Sequence, residues 1–93
     1  SESKIIQTVA DYYSLTPNQL TGSSREGQIA LARHIAMYLI KNLLDVPFKK
    51  IGQAFGGKDH STVMHGVEKV ENELKNNTQL QEAVAELKRR LKA

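Results

Sequence analysis

The sequence contains no cysteine and no tryptophan. Without thiols it can form neither a disulfide framework nor a thiolate metal site, which fits a reducing, cytoplasmic setting. No apolar stretch approaches the roughly 20 residues needed to cross a bilayer, and the first residues lack the basic-then-apolar order of a secretory signal. Nothing shows the strict alternation of half-buried strands, and no internal repeat or low-complexity tract interrupts the chain. A glycine-rich phosphate loop of the Walker type is also missing, so no nucleotide hydrolysis is expected of these residues. What remains is one small domain over residues 1–93 that depends on its apolar core alone.

That core has adequate material, since 40% of the 93 residues are hydrophobic. Positions Ile5, Ile6, Val9, Ala10 and Tyr13 recur at helical spacing and predict a first helix over Ser3 to Ser14. Thr16-Pro17 supplies a capping hydroxyl and a residue preset for a first turn, and Gly22 supplies a stop, which together define a short second helix. From Arg25 onward Ile29, Ala32, Ala36, Ile40 and Leu43 form one apolar row, ended by Pro47. Phe48, Ile51 and Phe55 share a face of a fourth helix that Gly56-Gly57 breaks. Asp59 can cap a fifth helix whose Val63, Val67, Val70 and Leu74 face inward, and a last helix spans Gln79 to Leu91. The expected fold is all-α, a compact bundle of about six helices.

Two of these helices, Phe48 to Phe55 and Asp59 to Leu74, are joined by a short glycine turn. This is the spacing of a helix-turn-helix, whose second helix enters the DNA major groove. Opposite the inward valines, Lys58, Ser61, Thr62, His65 and Lys69 recur at three and four residues, all polar or basic and all able to reach phosphates or base edges. Asp59 and His60 stand at the helix start, the part of a recognition helix that meets the bases, where a carboxylate can accept from the cytosine amine. A net charge of +3 is compatible with a polyanionic partner and does not by itself require one.

The run Ile51-Gly52-Gln53-Ala54-Phe55-Gly56-Gly57-Lys58-Asp59-His60-Ser61-Thr62-Val63 closely resembles the signature of the bacterial DnaA family of chromosomal replication initiators. Arg33-His34-Ile35-Ala36-Met37-Tyr38-Leu39 resembles the family's third-helix segment and Val9-Ala10-Asp11-Tyr12-Tyr13 its first helix, so the likeness covers nearly the whole chain and is to the family's C-terminal domain. The resemblance implies binding of double-stranded DNA at the DnaA box, an element resembling TTATCCACA, at the replication origin. It implies base contacts from Asp59, His60, Ser61 and Thr62 in the major groove and from Arg25 in the adjacent minor groove. It places Arg33, Lys41, Phe48, Lys49, Lys58, His65 and Lys69 along the DNA backbone. It further implies that the first helix continues a linker from an ATPase domain that lies outside this chain, that ATP belongs to the full-length initiator and no cofactor to this domain, and that the isolated domain is a cytoplasmic, nucleoid-associated monomer.

The sequence departs from the family pattern at named positions. Gly22, Ser23, Ser24 and Glu26 surround Arg25 where basic residues are usual, Lys58 replaces arginine, Ser61 threonine, His34 glutamine, and Lys49 proline. Lys49 adds a cation beside Lys50 that can offset the sparse basic loop at the phosphates. Bland readings compete with the functional ones elsewhere. His60 and His65, five residues apart, do not share a helical face, so no metal site is expected, and His34 reads as a surface or half-buried side chain. Glu68, Glu71 and Glu73 with Lys69 and Lys75 form a solvated face, and Lys88, Arg89, Arg90 and Lys92 complement a helix dipole. The rival functions are a helical protein-interaction module and a weak acidic-phospholipid contact near the first helix, which rests on Lys4 and an apolar stripe and lacks the cationic cluster such helices show.

Overall fold

Six helices, and no strand, make up the computed structural model, which describes residues 1–93. They are α1 (Glu2–Tyr12), α2 (Pro17–Thr21), α3 (Gly27–Leu44), α4 (Phe48–Ala54), α5 (His60–Leu74) and α6 (Thr78–Lys92). No helix is long and apolar enough to cross a membrane.

The centre is α3, where Ile35, Ala36, Met37, Leu39 and Ile40 are all essentially inaccessible. A helix apolar around most of its circumference must be covered on most sides, and α1, α2, α4 and α5 all pack against it. Ile5, Ile6, Val9 and Ala10 bring in α1, while Ile51 and Phe55 carry α4 into the same core. Leu80, Val84 and Leu87 of α6 close the bundle against α1 and α5. Fully burying a side chain the size of Phe55 contributes about 1.5–3 kcal/mol.

Local chemistry sets the helix ends. Ser1 caps α1 by accepting from the Lys4 amide at 3.3 Å, and Ser14 in the left-handed region (φ 58°) stops the helix two residues before the expected end. Thr16 and Gln19 form a reciprocal capping box at α2, with Pro17 in its first turn. The start of α3 falls at Gly27, so Arg25 belongs to the loop before it. Its end is fixed by Asp45 in the left-handed region, whose amide donates to the Lys41 carbonyl. Asn77 caps α6 through the Leu80 amide at 2.9 Å.

One core expectation is corrected. Leu43 shares the apolar row of α3 but is 42% exposed, with Leu44 at 38%. These two leucines border a surface recess with Ile5 of α1 and Leu91 of α6 that leaves them open to solvent.

Candidate nucleic-acid interface

The turn between α4 and α5 is built around the Gly52 carbonyl, which accepts from the amides of Phe55, Gly57 and Lys58 at 3.1, 3.0 and 3.0 Å. A Cβ on Gly52 would lie 2.1 Å from the Lys58 carbonyl oxygen, so the chain can fold back this tightly only over glycine. Gly56 and Gly57 follow with φ of 79° and 80°, a conformation that costs other residues about 1 kcal/mol or more. The result is two helices locked at a fixed angle with the start of α5 at the surface.

At that start, Asp59 caps α5 by accepting from the Ser61 amide at 3.0 Å, and it also accepts from the Ser61 hydroxyl. These two bonds, side chain first, hold the Asp59 carboxyl below its ordinary range. It is therefore an ionised acceptor at neutral pH. The side chains of His60 and Asp59 are 66% and 63% exposed, with His60 Nδ1 3.7 Å from Asp59 Oδ1. Thr62, His65 and Lys69 are exposed farther along, while Val63, Gly66, Val67 and Val70 are buried beneath them. Lys49 stands exposed on the first turn of α4, and Phe48 is half-buried with the Lys41 ammonium 4.8 Å above its ring.

Arg25 is exposed, and with Lys69, His34 and Glu73 it lines one recess of about 350 Å³. The loop before α3 and the outer face of α5 thus meet at a single edge, although 44 positions separate Arg25 from Lys69.

Four of the residues expected at the DNA have partners within the chain. Arg33 is only 5% exposed, and its guanidinium donates to the carbonyls of Leu20, Ser24 and Gln19 at 2.7, 2.8 and 3.1 Å. It is a buried cation held by backbone carbonyls. Lys58 directs its ammonium to the carbonyls of Thr21, Gly22 and Phe55 at 3.0, 2.5 and 2.8 Å, which occupies all three of its protons. Lys41 is tied to the α3–α4 corner through the Val46 carbonyl at 3.2 Å and Asp45 at 3.5 Å. The half-buried Ser61 hydroxyl is committed to Asp59. Arg33 does fall in the row of Ile29, Ala36 and Ile40, and that spacing was the available signal for its burial; for Lys58 no local signal existed.

His34 is half-buried, and burial first, then the charges of Lys69 and Arg33, push its pKa down against the opposing pull of Glu73. The unfolded chain therefore takes up this proton before the folded one. Stability should be complete above about pH 6.5 and decline as pH falls from there toward the folded value. Thermal melts between pH 7.5 and 5 should show a smaller drop in His34→Gln than in the parent. Equal drops would contradict the assigned burial.

The family model for the bacterial dnaA protein helix-turn-helix matches residues 3–70 of this chain. The chain belongs to the DnaA helix-turn-helix family. The DnaA chromosomal replication initiator protein of Limosilactobacillus reuteri is 46% identical over 89 residues, covering 96% of this chain. That of Latilactobacillus sakei is 46% identical over 93 residues, all of this chain. The chain spans about one fifth of these DnaA relatives, 20% and 21% respectively. A solved crystal structure of a DNA replication initiation factor shares the fold with a TM-score of 0.85 and 31% identity, over 96% of this chain and 27% of that one.

Proposed function

We propose that this domain binds double-stranded DNA sequence-specifically at DnaA boxes of a bacterial replication origin, serving initiation of chromosomal replication. The observation that carries the reading is the exposed start of α5, where Asp59, His60 and Thr62 project from a helix locked to α4, with Arg25 and Lys69 along the same edge. A major groove about 12 Å wide admits such a helix. Asp59, His60 and Thr62 then meet base edges, with Ser61 orienting the Asp59 carboxylate, and Lys49, His65 and Lys69 meet phosphates. Arg25 enters the adjacent minor groove, where A·T and G·C differ mainly by the guanine amine. The lipid reading has less support, because α1 sets its one cation, Lys4, against Glu2 and Asp11.

Inosine separates the two grooves, since I·C resembles A·T in the minor groove and G·C in the major groove. At the A·T-rich end of the box, I·C should bind nearly as well as A·T and better than G·C, and Arg25→Ala should erase that preference. At G·C pairs under α5, I·C should be nearly neutral, whereas A·T should cost roughly 1–3 kcal/mol per pair. If parent and Arg25→Ala rank the three pairs identically, Arg25 is not the minor-groove reader.

A separate expectation concerns Lys69. Its replacement by alanine should weaken box and random duplexes alike and lower the slope of log affinity against log salt by about one. A changed base preference with an unchanged slope would remove Lys69 from the phosphates.

A further inference from the structure

The C-terminal end of α2 presents a concentration of carbonyl oxygens that its own five residues cannot satisfy, since the last carbonyls of any helix lack partners within it. Two cations from distant parts of the chain meet them. Arg33, from the middle of α3, takes the carbonyls of Gln19, Leu20 and Ser24. Lys58, from the turn of the helix-turn-helix, takes those of Thr21 and Gly22 and adds Phe55 at the end of α4. No carboxylate pairs with either cation, so the partial negative charge of the helix end and the aimed carbonyl dipoles stabilise both. The turn itself lies against the same place, because a Cβ on Gly56 would stand 3.2 Å from the Thr21 oxygen.

We infer that Lys58 and Arg33 are positioning residues, a two-cation clamp that holds the loop bearing Arg25 in register with the recognition helix. Arg25 lies directly after Ser24, which Arg33 grips, and three residues after Gly22, which Lys58 grips. Lys58 in turn directly precedes Asp59, the cap of α5. The distance between the minor-groove reader and the major-groove reader is thereby set by bonds to the backbone flanking Arg25 and to the Phe55 carbonyl at the end of α4, from a lysine that is joined directly to the α5 cap. This rests on the reading of Arg25 proposed above.

Lys58→Met removes the ammonium while keeping most of the stem, and Lys58→Arg restores a donor at the same place. In the folded methionine variant, the Arg25-dependent preference for A·T and I·C over G·C should fall severalfold or more. Exchange of the Leu20 amide, which donates to the Thr16 carbonyl in the clamped α2 turn, should accelerate about tenfold or more, while the salt slope changes by less than one and base preference under α5 persists. Lys58→Arg should recover both the preference and the protection. Full preference with unchanged exchange in Lys58→Met overturns the clamp. Uniform weakening on every duplex with a salt slope lower by about one makes Lys58 a phosphate contact instead. If the methionine variant does not fold, the parent decides: a clamped Lys58 ammonium gives a slowly exchanging nitrogen-15 signal, and its absence overturns the clamp. Should the parent show no Arg25-dependent preference at all, the groove assignment fails, and the exchange and ammonium measurements still judge the clamp separately.

Discussion

Gly52→Ala is expected to cost at least about 3 kcal/mol of stability, the upper range for a steric insertion into a packed site. The added methyl would sit 2.1 Å from the Lys58 carbonyl oxygen and 3.2 Å from its carbon. Both are backbone atoms, so no side-chain rotation relieves the clash, and the turn would have to open. Opening it withdraws the Gly52 carbonyl from the three amides it accepts. Alanine's better helix propensity returns only about 1 kcal/mol. Domains of this kind hold about 5–15 kcal/mol in total, so the loss is a large share of what keeps the chain folded. Urea unfolding monitored by circular dichroism measures it directly. A loss below about 1 kcal/mol would mean that α4 and α5 are not locked as described.

Arg33→Met should be comparably damaging, for an electrostatic reason. The side chain is buried, and its guanidinium supplies donors to three carbonyls of the α2 end and the following loop. Methionine fills part of the volume and leaves those carbonyls without partners. Hydrogen bonds to charged donors contribute about 1.5–3 kcal/mol each, and leaving buried partners unpaired adds a desolvation cost, so a total of roughly 3–5 kcal/mol is expected. Binding should then be lost in proportion to unfolding. Where the variant remains folded, at low temperature, its salt slope should match the parent's. Normal stability with a slope lower by about one would return Arg33 to the DNA backbone.

The contrast between these residues and the helix stripes explains what the sequence could reveal. Ile5, Ile6, Val9 and Ala10, or Val63, Val67 and Val70, announce a buried face because periodicity is local and their burial follows from it. The capping residues Thr16 and Asp59 were legible for the same reason, since each acts within three residues of itself. Arg33 and Lys58 act across 9 to 14 and across 36 to 37 positions on the α2 side. Basic residues beside a helix-turn-helix are naturally read as phosphate ligands until the fold shows carbonyls waiting for them. Leu43 departs in the opposite sense: its spacing is correct, but burial also needs close cover, and an open recess lies between it and the facing ends of α1 and α6. On the proposed interface, the exposure of His60, Thr62, His65 and Lys69 follows from the register of α5, and that of Asp59 from its place as the cap. That Arg25 shares an edge with Lys69 required the tertiary structure.

In the proposed function, the outward start of α5 and the Arg25 loop together read a DNA sequence. The most direct test is equilibrium binding of the parent domain to a TTATCCACA duplex and to a scrambled duplex of equal composition, at several salt concentrations. A preference for the box of about a thousandfold or more is expected. Salt should weaken binding to both duplexes. In Asp59→Asn, which retains a capping side chain, discrimination at one cytosine-bearing pair should relax by roughly 1–3 kcal/mol. Equal affinity of the folded parent for box and scrambled duplexes across the salt range would contradict the proposed function.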